Sequence, residues 1–428
     1  MEPTRETFGN IPAAWQHLFY LAATAAALVF CYGVWRRLRL WRQGRPVAVR
    51  ELLAGRLGDI AARLKPGLRR LAVEGLGQSR VLGHGAAGGA HVLLFAGFMM
   101  LFLGTTLLEI DHVASMISRD LSFQHGTYYV VYKATLDVSG LLFLSGCAYF
   151  LWRRALRPAS LGHRAADWWV LASFIAIALT GYLLEALRIT WQRPQGLGAH
   201  CSPVGLFVSH AFAGLDEAAA RRAHFGVWWL HAALVLCFIA AIPFTRLFHV
   251  VAGPLNLFFA GPSLGALQLV TVEEVERTGQ LGIGAIRHLT QQQLLSLDAC
   301  MECGRCQDAC PAYATGKPLS PKALVQDLKR LMEDTLGPPR GAAPPRPLHS
   351  GTIRAETLWA CTACSACVDV CPVRVNQVTL ILGMRRHLVA EGGLSGTAAN
   401  ALRRIQSAAN PWGLPAGDRP AWREALNS

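Results

Sequence analysis

Eight of the twelve cysteines fall in two short runs with one spacing. Cys300-Met-Glu-Cys303-Gly-Arg-Cys306-Gln-Asp-Ala-Cys310-Pro311 is the first, and Cys361 through Pro372 repeats it. In this C-x2-C-x2-C-x3-C-P pattern three thiolates wrap one corner of an iron-sulfur cubane, and the fourth, displaced to just before a proline, ligates the other cluster. The expected sets are therefore crossed. Cys300, Cys303, Cys306 and Cys371 hold one 4Fe-4S cluster, and Cys310, Cys361, Cys364 and Cys367 hold the second. Zinc also takes C-x-x-C pairs, but it needs four thiolates in one knot, not three plus a displaced fourth. Cubanes are one-electron relays. The scattered Cys31, Cys147, Cys201 and Cys237 read as small buried hydrophobes.

Histidines within apolar segments are the second source of chemistry, because ionisable groups in a bilayer face the bundle interior and serve function. His231 and His249 stand 18 residues apart on one apolar segment, a separation of ~27 Å at helical rise. His91 and His112 stand 21 apart on another, or ~31 Å. In antiparallel helices His91 pairs in depth with His249 and His112 with His231, a bis-histidine arrangement for an inner and an outer b haem. The alternative is hydrogen bonding to backbone at helix ends, above all for His112. His84 is the alternative to His91, and His125 or His224 to His112. Asp137, Glu185 with Arg188, and His125 are suited either to proton movement at a quinone pocket or, for the charged groups, to salt-bridged packing.

These residues need a membrane frame and a helical domain beside it. The chain of 428 residues is 52% hydrophobic, too apolar for an ordinary soluble protein. Five stretches, about 14–35, 88–110, 128–152, 168–188 and 226–248, are long enough to cross a bilayer. The net charge of +14 lies mainly in links beside them, which favours topology over nucleic acid as its meaning. The links holding Arg36, Arg37, Arg39, Arg42, Arg45 and Arg50, and Arg153, Arg154, Arg157 and Arg164, should face the cytoplasm of a bacterial inner membrane. The N-terminus is then outside, and both cysteine runs are in reducing cytoplasm, where disulfides rarely persist. The first segment lacks a charged leader and reads as a permanent anchor.

The expected fold is all-α: a five-helix transmembrane cytochrome b bundle (1–250), a connector (251–290), a helical two-cluster ferredoxin domain (291–400) and a tail (401–428). The cytoplasmic part should begin at Pro254. Residues 46–80 alternate leucine and arginine around a break at Pro66, as amphipathic helices on anionic lipid or as a solvated linker. Ser320-Pro321 should start a helix through Leu324, Leu328 and Leu331, and Gly337–Pro347 should be an exposed spacer. No Walker loop or dinucleotide fingerprint appears.

Together these residues resemble two known families joined in one chain. The membrane part looks like the cytochrome b (gamma) subunit of respiratory nitrate reductase, through Pro243-Phe244-Thr245-Arg246-Leu247-Phe248-His249 and the placing of His231; where that family has a further histidine, this chain has Leu101. The cysteine-rich part is similar to the C subunit of heterodisulfide reductase. Nearly the whole chain resembles the N-terminal part of membrane-bound heterodisulfide-reductase-related iron-sulfur oxidoreductases, in His91-Val-Leu-Leu-Phe-Ala-Gly-Phe98, Asp298-Ala-Cys300, Ala314-Thr-Gly-Lys-Pro-Leu-Ser-Pro321 and Asn410-Pro-Trp-Gly-Leu-Pro415. The resemblance implies respiratory electron flow between electron-transferring flavoprotein and menaquinone. Those relatives continue into domains with Cys-Cys-Gly motifs, so here such domains are expected on a separate subunit, or the chain is a shortened version. A relay and anchor without catalysis, and quinol-driven reduction of a cytoplasmic disulfide or sulfur substrate, use the same parts.

Overall fold

The computed structural model describes residues 7–46, 57–156, 165–194, 197–261, 270–338, 348, 352–418 and 426. Arg50, Arg157, Arg164, residues 47–56, most of the Gly337–Pro347 spacer and most of the chain beyond 418 lie outside the described residues. The described part is helical, with one isolated bridge between Arg45 and Thr290 and no strand. Five helices are long and apolar enough to cross a membrane. They are α1 (Ala13–Trp41), α3 (Gly85–Ile117), α4 (Gly126–Ala155), α5 (Ala165–Gln192) and α7 (Glu217–Ala241), with α2 (Leu57–Arg70) and α6 (Pro203–Ser209) in the links. Their outward faces carry Leu21, Leu28, Phe102, Val131, Leu179 and Leu230, all exposed, as a lipid-facing surface requires.

Small residues set the helix spacing. A Cβ on Gly97 of α3 would lie 2.6 Å from the Ser139 carbonyl of α4, and one on Gly146 of α4 would lie 2.8 Å from the Ala90 carbonyl, so these two backbones touch. From there α4 packs on α5, α5 on α7, and α7 on α1. The bundle centre is filled by Phe98, Phe143, Phe174 and Phe238, one ring from each of α3, α4, α5 and α7. Adjacent ring centroids are 6.3, 5.2 and 4.9 Å apart.

Two expectations are corrected. The fifth spanning helix does not carry His249: it ends at Ala241, two single turns follow, and His249 opens α8 (His249–Phe259). Pro243 is the reason, since it has no N–H to donate and its ring collides with the preceding turn. At Pro66 no break occurs; α2 runs through it to Arg70. Gly67 lies against Phe258, and Arg70 donates to the Leu257 and Phe258 carbonyls at 2.7 and 2.9 Å, which anchors the second half of α2 on α8. Pro254 likewise lies inside α8.

Beyond α8 come α9 (Gln291–Ala299), α10 (Arg305–Asp308), α11 (Pro321–Leu336), α12 (Ala355–Trp359), α13 (Ala366–Asp369), α14 (Gln377–Ala390) and α15 (Gly396–Ala408). A Thr290–Gln293 capping box starts α9, and Ser320, accepting from the Ala323 N–H, starts α11. Each such cap is worth about 1 kcal/mol. Leu294, Leu297, Leu324, Leu328, Met332, Leu380 and Met384 form a core that also takes in Leu40 and Trp41 from α1 and Phe248 and Ala252 at α8. The cysteine-bearing helices are thus packed directly onto the ends of membrane helices.

Candidate electron-transfer site

Both cysteine runs adopt the same backbone. Glu302 (φ 62°) and Gly304 (φ 86°) turn left-handed before α10 carries Cys306. Ala363 (φ 55°) and Ser365 (φ 63°), at the matching places, precede α13 with Cys367. Left-handed backbone costs a residue other than glycine roughly 1–2 kcal/mol. What it achieves is to turn N–H groups onto sulfur. The Ala363 N–H donates to Cys361 Sγ and the Val375 N–H to Cys371 Sγ, each at 3.3 Å. The Glu302 N–H bonds Cys300, and Gln326 Nε2 donates to the same sulfur at 3.3 Å. Concave rows of N–H groups suit an anionic, thiolate-held group.

The thiols gather across the runs. Burial, then Cys303 and Cys300 among its causes, pushes the Cys371 thiol up to about 12. Burial and then Cys300, Cys371 and Cys303 raise Cys306. Burial and then Cys361, Cys310 and Cys364 push Cys367 up to about 12. Cys371 therefore stands with the first triad and Cys310 with the second. A bound metal cation would favour the ionised form of such thiols. Cys306 also feels Cys367, which sets the two groups side by side. Cys306, Cys310, Cys367 and Cys371 are buried, whereas Cys364 is exposed.

His91 and His249 come within electrostatic range of each other at the end of the bundle that meets these loops. His249 Nδ1 lies 2.9 Å from the Arg246 carbonyl. A carbonyl only accepts, so Nδ1 carries the proton and Nε2 the lone pair a metal needs. His91 Nδ1 is buried with no hydrogen-bond partner among the described residues. A buried polar atom left unpaired costs about 1–3 kcal/mol, which fits a ring made to engage a prosthetic group. His84, the alternative, instead bonds the Val370 backbone.

The outer pair stands differently. His231 Nδ1 is 2.8 Å from Thr180 Oγ1, whose own proton goes to the Ala176 carbonyl at 2.7 Å, so His231 too offers Nε2. His112 is enclosed by Phe8, edge-on at 5.0 Å, and Tyr20, stacked at 6.5 Å. Phe8 also meets Trp228, on the helix of His231. His125 sits just before α4, and His224 Nδ1 is 3.3 Å from Asn10 Nδ2.

The charged candidates for a quinone pocket are paired internally. Asp137 accepts from the Val204 and Gly205 N–H groups at 2.9 and 3.2 Å. Glu185 joins Lys133 at 3.0 Å and Arg188 at 2.7 Å, and Arg188 Nη1 donates to Tyr129 at 2.9 Å.

Residues that spacing did not single out tie the bundle to the cysteine loops. Arg246 joins Asp167 at 2.8 Å and Glu302 at 2.7 Å. Asp298, wholly buried, receives Arg37 at 3.3 Å, Lys329 at 3.1 Å and Trp41 Nε1 at 2.8 Å. Arg374, after Cys371, grips Glu74 with two bonds of 2.6 Å. The available signal was the position of Glu302 and Asp298 within or beside a cysteine run.

Residues 296–375 match the 4Fe-4S dicluster domain family, and residues 89–264 match the nitrate reductase gamma subunit family. An EtfAB:quinone oxidoreductase of Syntrophomonas wolfei is 31% identical over 98% of this chain and 61% of its own length. A probable iron-sulfur-binding oxidoreductase, FadF, of Bacillus subtilis is 27% identical over 95% of this chain and 60% of its own. One subunit of the dihydromethanophenazine:CoB–CoM heterodisulfide reductase of Methanosarcina barkeri is 30% identical over 32% of this chain and 35% of its own. The chain spans about three fifths of the length of the first two relatives. No solved structure matches it.

Proposed function

We propose that the chain, similar over 98% of its length to an EtfAB:quinone oxidoreductase, is a heterodisulfide-reductase-related iron-sulfur oxidoreductase of the membrane that links a cytoplasmic donor, electron-transferring flavoprotein, to menaquinone. In this reading Cys300, Cys303, Cys306 and Cys371 hold one 4Fe-4S cluster, Cys310, Cys361, Cys364 and Cys367 hold the other, and His91 and His249 hold b haem. These groups, when bound, supply one-electron steps between a soluble donor and the membrane. The observation that carries the reading is the approach of His91 to His249 beside the first cysteine loop.

The protein's own residues give the path its direction in space. Exposed Cys364 marks the edge open to a soluble partner. Cys303 and Cys371 are within electrostatic range of Arg305, which in turn is within range of His91. Arg37, Arg45 and Arg154 sit at this same end, paired with Asp298, Glu274 and Asp167, which supports a cytoplasmic location for the cysteine loops under the positive-inside rule. His231 keeps a donor position for an outer haem, but the enclosure of His112 by Phe8 and Tyr20 favours the inner pair. The test is reduction of the purified chain in menaquinone liposomes by reduced electron-transferring flavoprotein. Haem-band reduction followed by menaquinol formation supports the reading; a donor that reduces neither clusters nor haem overturns it.

A relay and anchor, with quinone chemistry on another subunit, is the second reading. The pairing of Asp137, Glu185 and Arg188 favours it, because no acid in that network is left over to protonate a quinone. A menaquinone analogue that oxidises the reduced isolated chain decides against it.

A further inference from the structure

Arg305 is the x in Cys303-Gly-Arg-Cys306 whose side chain the cluster motif does not need. Gly304, left-handed at φ 86°, turns the chain so that Arg305 opens α10. Its guanidinium acts on the thiols of Cys303 and Cys371. The same cation reaches across to the rings of His91 and His84. It is therefore within electrostatic reach of two cluster-run sulfurs and of His91.

The arrangement is unfinished as protein alone. Arg305 Nη1 is buried and has no hydrogen-bond partner among the described residues. The same holds for His91 Nδ1 close by. Arg153, a second cation within range, adds repulsion rather than a partner. A half-buried guanidinium with an unmet donor, beside a second arginine, has the chemistry to receive a carboxylate. Arginine takes carboxylate oxygens through paired, charge-assisted N–H bonds, and leaving such a donor buried and unmet is costly.

We propose that Arg305 binds a propionate carboxylate of the haem held by His91 and His249, making one side chain common to the haem pocket and the first cluster's ligand loop. This rests on the haem assigned above. Arg305 is then a positioning residue with a second effect: its charge stabilises the reduced haem, which carries one positive charge fewer than the oxidised form. Through Cys303 and Cys371 the same guanidinium couples the haem pocket to the cluster loop.

The test uses the purified full chain and its Arg305→Gln and Arg305→Lys variants. Haem content comes from the pyridine haemochrome, midpoints from optical redox titration, and propionate contact from the propionate bending band in resonance Raman spectra. The expected result is that Arg305→Gln retains both clusters, shifts the propionate band and raises the oxidised-to-reduced haem ratio at fixed poise about tenfold, equal to 59 mV for one electron. Arg305→Lys restores most of the potential. Haem bound with band and midpoint unchanged in Arg305→Gln overturns the proposal, as does a midpoint change without a band shift, which reduces Arg305 to a distant charge. Wild-type chain with clusters and no haem overturns the haem assignment itself, and the proposal with it. If Arg305→Gln does not accumulate, the Raman band of Arg305→Lys decides alone: an unshifted band overturns the contact.

Discussion

Arg246, in the turn that closes the membrane bundle, meets the carboxylate of Glu302, between Cys300 and Cys303, at 2.7 Å. The contact fixes a cluster loop to the membrane part through a residue that is neither a cysteine nor a histidine. Asp167, on the other side of the guanidinium at 2.8 Å, also has Arg154 at 3.0 Å.

Arg246→Gln should therefore act on the first loop. Glu302 is 8% exposed, and removing one partner of a buried ion pair costs about 3–5 kcal/mol. The expected outcome is a lower unfolding temperature in detergent and faster loss of the cluster proposed for Cys300, Cys303 and Cys306, followed by paramagnetic resonance during mild oxidation. Equal loss rates for both clusters would show that the tie is mechanically idle.

The crossed grouping of thiols makes a pairwise prediction. Cys371→Ser should damage the same cluster as Cys300→Ser, so the double variant should lose no more iron than either single one. Cys371→Ser combined with Cys361→Ser should lose both clusters. Iron and sulfide counts with low-temperature paramagnetic spectra read this out. Additive loss in the Cys300/Cys371 pair would mean the sets are uncrossed.

The cysteine-bearing part should weaken in acid. His288, bonded through Nδ1 to the Gly284 N–H at 3.1 Å, has its pKa held below 6.5 by burial first, then by His387 and Arg45. In that window the unfolded chain binds the extra proton and the folded chain does not, so stability rises with pH up to about 6.5 and falls as pH drops below it. Denaturation midpoints between pH 5 and 7 should show this slope in wild type and a shallower one in His288→Gln. An identical slope in the variant would remove His288 from the account.

The histidines separate by position. His249→Ala and His91→Ala should each abolish the haem spectrum of the inner pair while leaving the iron-sulfur signals, and His112→Ala should leave that haem in place. Retained haem in His249→Ala with normal absorbance would transfer the ligand role elsewhere.

How much of this was legible follows from which interactions are local. Cysteine spacing is local, so the two runs could be read residue by residue, and apolar runs of bilayer length exposed the five helices. The apolar run that reaches His249 continues through Pro243, where the proline ends the helix, so hydropathy alone puts His249 on the fifth spanning helix and the structure does not. At Pro66 the opposite happened: tertiary packing of Gly67 and Arg70 on α8 carried the helix through. Arg246, Asp298 and Arg305 matter through partners far away in sequence or through unmet donors, and spacing gives no sign of either.

The central claim is that one chain holds two clusters and a histidine-ligated haem in a single path. Simultaneous optical and paramagnetic redox titration of the purified chain, with iron counting, tests it most directly. The account predicts two interacting 4Fe-4S signals together with a low-spin b-type spectrum that disappears in His249→Ala while the clusters persist. Two clusters with no b-type absorbance at any potential would contradict it.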